Sequence, residues 1–436
     1  MKKIIVVLAS ALVISLLGAT MPLYAEETEQ GNIQISLNDI HEYLWEINAE
    51  MSEEEITKLA FRNQKIINYL NYFFTEDSYK AYYSAVTHLK QKRDGAVEEL
   101  IDATEGLEQT DSITERLIFL WDAGKMPQDP EENLTEEELD AMTIEGYGFE
   151  PYVIKFLIDD PAQAKGNIVV ISGGSGDNAT EGYPAVLRFN ELGYNCFLLH
   201  RRCADYPSLD NYMDTQRAMR VVRNYAQQAE LGGQDMIAVM GFSAGGKSIL
   251  GMLDHCYGYL TPADEGAAGY VPDEIDAVCS DPDVAMLIYS ATGNPIAEGN
   301  TNVPAIYLCV GDEDATKNYE NTIKMYDVIK DTIPSELFVV EGAGHGFGVG
   351  QEGATKSVPD CALWPEQADV FMQKYPGYSH KNDEAAEETG DSIDLSLEQG
   401  SVTVSYYDGT EILQNEEGKD LQILVPHGIE IGRAHV

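Results

Sequence analysis

Basic residues are scarce in this sequence of 436 residues. It contains 28 Lys and Arg against 74 Asp and Glu, which gives a formal net charge of -46 at pH 7. A surplus of negative charge this large repels phosphate backbones and anionic membrane surfaces. The sequence therefore predicts that the protein has no nucleic-acid partner.

Long apolar runs are also missing. The run at residues 4–17 is shorter than the ~20 residues that a membrane-spanning helix needs. It follows Lys2 and Lys3 and precedes the small residue Ala25. This pattern predicts a secretory signal peptide at residues 1–25, a secreted or cell-surface protein, and no stable membrane insertion after cleavage. An uncleaved anchor is the alternative.

Cysteine is infrequent, with six residues in the whole chain and no C-x-x-C pair. The absence of such pairs argues against a zinc site, and we expect neither a metal nor a cofactor. An even number of cysteines outside the cell permits disulfides. Cys196 and Cys309, however, lie inside apolar, strand-like runs, so buried free thiols are an equal alternative.

The chain is longer than the ~250 to 300 residues at which single cores stop growing, so we expect several units. Helical periodicity comes first, then alternating strands and helices, then a charged stretch without an apolar face and a segment typical of a β-hairpin. The predicted units are a signal peptide at 1–25, a helical unit at 26–145, an α/β domain at 146–378, an acidic linker at 379–393 and a β-rich fragment at 394–436. The last six residues, IGRAHV, resemble a translated sequencing adapter, so we expect that fragment to be truncated.

Between Tyr152 and Tyr375, short apolar runs such as NIVVIS and MIAVMG alternate with longer polar helical segments. Apolar runs of this kind are typical of strands buried on both faces and joined by helices. The pattern predicts an α/β fold with a mostly parallel sheet flanked by helices. In such sheets, ligands bind at the carboxyl ends of the strands.

The stretch MIAVMGFSAGGKS satisfies two motifs at once. Residues 241–248 match G-x-x-x-x-G-K-S, a P-loop in which Lys247 would approach phosphates, and residues 241–245 match G-x-S-x-G, the nucleophile elbow of a serine hydrolase. Both motifs need a strand before them and a helix after them. The local sequence therefore leaves the choice open.

The order of other residues favours the hydrolase. An elbow needs an acid and then a histidine downstream of Ser243, and Asp314 and His345 follow in that order, each after an apolar strand. Asp312 is an alternative acid in the same turn. His200 and His255 are alternative bases, but they precede the acid. A P-loop would instead need Asp312 or Asp314 to hold magnesium.

The segment ISGGSGDN, residues 171–178, follows another strand. Its small residues allow backbone amides to stabilise an oxyanion beside the amide of Ala244, which follows the nucleophile. A tight turn with positive φ is the alternative. The segment fits a dinucleotide-binding fingerprint only loosely.

Eight segments between about Asn167 and Tyr375 resemble, in order, the α/β-hydrolase superfamily, and within it a group of secreted acetyl esterases and acetylxylan esterases with a GFSAGG elbow. These segments are VVISGGSGD, ELGYNCFLLHRR, DTQRAMRVVRNYAQQ, MGFSAGG, DVAMLIYS, VGDEDA, GAGHGFG and LWPEQADVFM.

The resemblance implies that Ser243 is the nucleophile, Asp314 the orienting acid and His345 the base. It implies oxyanion donors at the amides of Gly174, Ser175 and Ala244. Two features depart from the family. Ser175 stands where a third glycine is usual, and His200 replaces a tyrosine, which leaves the role of Arg202 open.

These observations predict an esterase that removes short acyl groups, acetyl above all, from carbohydrate or other ester substrates. A prolyl-oligopeptidase-like peptidase and a cell-surface binding protein on a hydrolase scaffold are the alternatives.

Overall fold

The computed structural model describes most of the central part of the chain and short segments at both ends. The described residues are 4–7, 51–52, 76–105, 116–122, 124–129, 151–174, 181–202, 206–267, 269–290, 296, 303–315, 317–351, 354, 356–380, 391–395, 403–405, 411–414 and 421–425.

The described residues form strands and helices that are numbered here in chain order. The strands are β1 Ile4–Val7, β2 Leu117–Phe119, β3 Tyr152–Phe156, β4 Asn167–Ile171, β5 Asn195–His200, β6 Ile237–Phe242, β7 Val284–Ile288, β8 Ala305–Gly311, β9 Ser335–Val340, β10 Asp391–Leu395, β11 Thr403–Ser405, β12 Glu411–Gln414 and β13 Leu421–Val425. The helices are α1 Glu76–Lys90, α2 Ala96–Glu105, α3 Tyr183–Glu191, α4 Ser208–Gln228, α5 Ala244–His255, α6 Asn318–Ile329 and α7 Trp364–Met372.

Eight strands form the main sheet in the order β2-β3-β5-β4-β6-β7-β8-β9. β3 runs antiparallel to both of its neighbours, and all other pairs from β5 to β9 are parallel. The five strands β4 to β8 are buried along their whole length, which explains their unbroken apolar sequences. The predicted fold class, a mostly parallel sheet flanked by helices, is confirmed.

Helices cover both faces of this sheet. Along β4, Ile168 and Val170 belong to one core cluster, whereas Val169 and Ile171 belong to the other, because successive side chains of a strand point to opposite faces,. The first cluster includes residues of α1, α2, α3 and α7, and the second includes residues of α4, α5 and α6. The carboxyl edge of the sheet is therefore the place where loops from both layers meet.

The range 26–145, predicted to be a helical unit, contains the helices α1 and α2. It also contains β2, which pairs with β3 at the edge of the main sheet, and the core residues Leu120 and Trp121. The sheet therefore begins before residue 146. The rest of that range lies largely outside the described residues.

Residues Met1–Thr28 and Ser379–Val436 together form a second compact unit. It contains a sheet of order β1-β13-β10 and an antiparallel pair of β11 and β12, as expected for the predicted hairpin. The dipeptide Asp408-Gly409, which is typical of a hairpin turn, lies outside the described residues. β1 lies within the predicted signal peptide, and β10 begins within the predicted linker.

The described residues include five of the six cysteines, and all five are buried with no disulfide among them: Cys196, Cys256, Cys279, Cys309 and Cys361. In this part of the chain, no three His, Cys, Asp or Glu side chains are grouped as metal ligands. No helix among the described residues has both the length and the apolar character needed to cross a membrane.

Candidate active site

Ser243 is a one-residue junction between β6, which ends at Phe242, and α5, which begins at Ala244. Its φ of 48° and ψ of -113° are strained for a residue with a side chain,. Its amide donates to the Ile288 carbonyl at 3.0 Å, which ties the turn to β7. This geometry holds the serine, half-buried, at the carboxyl edge of the sheet.

The same junction argues against a P-loop. A P-loop wraps several consecutive amides around phosphate groups, whereas a single residue separates strand from helix here,. Instead, Gly245 and Gly246 pack against other residues of the same chain. A Cβ on Gly245 would lie 2.3 Å from the Ile171 carbonyl oxygen, and one on Gly246 would lie 2.2 Å from Ser290 Oγ. These glycines allow the helix to approach the sheet closely.

His345 lies in the loop after β9, between Ser243 and Asp314. Its Nε2 is 2.9 Å from Ser243 Oγ, and its Nδ1 is 2.7 Å from Asp314 Oδ2. The Asp314 carboxylate is fully buried and can only accept a hydrogen bond when ionised, so Nδ1 carries the proton,. Nε2 is then free to accept the proton of the serine hydroxyl.

The alternative residues lie elsewhere. Asp312 accepts a hydrogen bond from the Gly342 amide at 2.6 Å and so caps the histidine loop. His200 is fully buried at the end of β5, where its ring packs on Tyr152. His255 ends α5, at the opposite end of the helix from Ser243. The three residues that the resemblance implied are thus the ones that the structure brings together.

The predicted oxyanion donors are described in part. The amide of Ala244 opens α5, and amides of the first turn have no acceptor within their helix,. Gly174 is exposed, with a φ of 56° that favours glycine,. Ser175 lies outside the described residues. The amide of Gly173 is not available to an oxyanion, because it donates to Glu181 Oε2 at 2.5 Å.

Three further residues surround this site, and the sequence did not indicate them. The Asn318 amide lies 3.2 Å from His345 Nδ1 and donates to the Tyr289 carbonyl at 3.1 Å. The Tyr289 ring meets the His345 ring edge to face, with 5.1 Å between centroids. Glu181 accepts a hydrogen bond from the Tyr289 hydroxyl at 2.9 Å. Asn318 and Glu181 belong to none of the eight segments, and Tyr289 lies in the segment DVAMLIYS, which gave it no role.

Arg202, whose role the sequence left open, is fully buried. Its guanidinium donates two hydrogen bonds to Asp214, at 2.9 and 2.7 Å, and one to the Pro127 carbonyl at 2.5 Å. Bidentate pairs of this kind hold chain segments in a fixed register. Arg202 therefore joins the segment 124–129 to α4 and has a structural role.

No family model matches the chain, and no curated protein matches it. Several solved structures are similar to it. An acetyl ester-xyloside bifunctional hydrolase from Caldicellulosiruptor lactoaceticus is 19% identical, over 59% of this chain and 95% of that one, with a TM-score of 0.45. A thermophilic esterase from Thermogutta terrifontis with bound butyrate is 20% identical, over 52% of this chain and 90% of that one, with a TM-score of 0.40. The same esterase phosphorylated by paraoxon has a TM-score of 0.41 at 20% identity and the same coverage. The chain is thus similar, at low identity and over little more than half its length, to enzymes described as esterases.

Proposed function

We propose that the protein is a serine hydrolase that cleaves carboxylic esters through an acyl-enzyme on Ser243. One observation carries the proposal, namely the continuous line of contacts from Ser243 Oγ to His345 Nε2 and from His345 Nδ1 to Asp314. A hydroxyl is a weak nucleophile, and a base oriented by a buried acid is what makes it reactive. The strained junction at Ser243 supports the same role, because such strain clusters at functional sites,.

In this mechanism, His345 Nε2 takes the proton of Ser243 Oγ as the oxygen attacks the ester carbonyl. Asp314 holds the imidazole and stabilises its positive charge, while the Ala244 amide and amides of residues 174–175 donate to the oxyanion. His345 then gives its proton to the departing alcohol. Water, activated by the same imidazole, attacks the acyl-enzyme and releases the acid, which restores Ser243.

The proposal extends to short acyl groups, acetyl above all, on carbohydrate substrates outside the cytoplasm. The order of the eight sequence segments supports the substrate class, because together they resemble those of secreted acetyl esterases. The basic and apolar pattern at residues 1–25 supports the location.

The central test compares Ser243→Ala with the intact protein in hydrolysis of p-nitrophenyl acetate. We expect turnover to fall by ~10⁴-fold or more, because the acyl-enzyme cannot form. Ser335→Ala is the matched control, since Ser335 starts β9 at the opposite edge of the sheet, and it should remain active. A fluorophosphonate probe should label the intact protein and the control but not Ser243→Ala. Equal turnover in Ser243→Ala and the intact protein would refute the proposal.

The substrate class is tested separately. We expect release of acetate from acetylated xylo-oligosaccharides, and faster hydrolysis of p-nitrophenyl acetate than of the octanoate. A proline-linked p-nitroanilide serves as the peptidase control. Cleavage of that amide in preference to the esters would replace the esterase proposal with a peptidase.

A further inference from the structure

Tyr289 lies where three parts of the active site meet. It directly follows β7, whose Ile288 carbonyl accepts the amide hydrogen of Ser243. Its hydroxyl donates to Glu181 Oε1 at 2.9 Å and accepts from the Gly348 amide at 3.1 Å. One phenol oxygen therefore joins Glu181 to the loop that carries His345.

Glu181 continues the connection to residues 172–174, which follow β4 and are called the oxyanion loop here. Its second carboxylate oxygen accepts a hydrogen bond from the Gly173 amide at 2.5 Å. Gly173 also lies against the nucleophile, because a Cβ at this position would be 2.9 Å from Ser243 Cβ and 2.7 Å from Glu181 Oε2. The carboxylate, the oxyanion loop and the nucleophile thus converge at Gly173.

The backbone and ring of Tyr289 are held as firmly as its hydroxyl. Its φ is 36°, a strained value for a residue with a side chain,. The Asn318 amide binds its carbonyl, and its ring packs edge to face on His345 and on Phe347, with 5.1 and 4.6 Å between centroids. Strain of this kind persists only where the surroundings fix the residue, and here those surroundings are the catalytic loops.

We propose that Glu181 and Tyr289 form a positioning pair that sets the oxyanion loop and the histidine loop relative to Ser243. This inference rests on the proposed function of the same site. The chain of hydrogen bonds runs from the Gly173 amide through the Glu181 carboxylate and the Tyr289 hydroxyl to the Gly348 amide. It fixes two loops that leave different strands of the sheet.

The chemical state of the pair suits this role. Burial, together with the nearby carboxylate of Glu181, raises the pKa of the Tyr289 hydroxyl well above its ordinary value. The phenol therefore keeps its proton and remains a donor to Glu181. A carboxylate has two accepting oxygens. Glu181 Oε2 accepts from the Gly173 amide, and Oε1 accepts from the Tyr289 hydroxyl.

The test uses Tyr289→Phe, which keeps the ring against His345, and Glu181→Gln, which keeps the size but loses one accepting oxygen. We expect each variant to lower kcat for p-nitrophenyl acetate by about 10- to 100-fold with little change in KM, because small displacements of reacting groups are costly. Affinity for a boronic acid, which forms a tetrahedral anionic adduct on the serine oxygen, should fall in parallel. The kcat of the double variant should be no lower than that of the more impaired single variant, as expected for two residues that act as one unit.

Tyr307→Phe is the matched control. Tyr307 is another fully buried tyrosine of the sheet, and its hydroxyl makes a long hydrogen bond of 3.4 Å to the Trp364 carbonyl. It should retain the kcat and the boronic-acid affinity of the intact protein. If Tyr289→Phe does not fold, Glu181→Gln decides, because Glu181 is only half-buried.

The possible failures are distinguishable. Variants that match Tyr307→Phe in kcat and in boronic-acid affinity, while turnover still depends on Ser243, would overturn the positioning pair alone. A lower kcat at unchanged KM, without any loss of boronic-acid affinity, would also overturn the positioning pair, since the oxyanion loop would then be intact. Turnover that does not depend on Ser243 would overturn both the pair and the proposed function.

Discussion

At the scale of single residues, His200 is a buried imidazole whose surroundings disfavour its protonated form. It is 1% exposed at the end of β5, and its ring packs on Tyr152 with 4.8 Å between centroids. Burial first, and the neighbouring charge of Arg201 second, lower its pKa from 6.5 to about 3,. In the folded protein we therefore expect the imidazole to be neutral near pH 7 and to bind a proton only in strong acid.

This shift predicts a loss of stability in acid. The unfolded chain binds a proton at His200 below pH 6.5, while the folded protein does not bind one until about pH 3, so the free energy of unfolding falls as the pH drops through this window,. From pH 7.5 to 4.5, His200 should cost about 2 to 3 kcal/mol. His200→Phe keeps a ring against Tyr152 and should show a correspondingly smaller loss in urea unfolding. Identical losses in both proteins would contradict the prediction.

The sequence could predict the candidate site only as far as motifs reach. It placed Ser243, Asp314 and His345 after separate strands in an informative order, because chain order and strand ends are visible in a sequence. The local pattern left Asp312 open beside Asp314, since two residues in one turn differ only in where their side chains point, and only the family resemblance favoured Asp314. Glu181 and Tyr289 were missed because their contacts come from loops that are distant in sequence.

At the scale of elements, the close approach of α5 to the sheet determines the geometry of Ser243, the proposed nucleophile. Gly245 is the second residue of the helix and lies against the backbone carbonyl of Ile171, where there is no room for a side chain. Gly251 is the corresponding residue near the far end of α5. A Cβ there would meet ring atoms of Tyr212, a side chain that can move, instead of backbone.

Replacement of these glycines should therefore have different results. Gly245→Ala would have to move α5 away from β4, and with it the amide of Ala244, so kcat should fall by ~100-fold or more. Gly251→Ala should lose about 1 to 3 kcal/mol of stability through overpacking but keep its kcat. Turnover per fluorophosphonate-titrated site, measured beside urea unfolding, separates the two effects. A Gly245→Ala protein with unchanged kcat would show that the helix position is not critical.

The elements themselves were predictable to different degrees. The buried strands β4 to β8 stood out because each is an unbroken apolar run. β2 did not, since its three half-buried residues form a short edge strand that carries no clear alternation. Its place in the sheet depends on pairing with β3 across more than 30 residues of sequence, which a local pattern cannot show.

At the scale of the whole molecule, the sequence carries a net charge of -46, and the proposed reaction also develops negative charge at its site. The oxyanion is stabilised over short distances by amides, whereas the field of the whole protein acts on a substrate as it approaches. The field should have little effect on the binding rate of neutral esters. Esters with a negatively charged acyl group should be repelled from the protein before they bind.

This difference predicts that substrate preference depends on salt. At an ionic strength of about 0.01 M, where the screening length is about 30 Å, kcat/KM for p-nitrophenyl hydrogen succinate should be well below that for p-nitrophenyl butyrate. Raising the ionic strength to about 1 M shortens the screening length to about 3 Å and should increase kcat/KM for the anionic ester by about 3- to 10-fold. The neutral butyrate is the internal control and should change little. If the ratio of the two values does not vary with salt, the preference originates in direct contacts at the site, and the field of the molecule has no part in selecting the substrate.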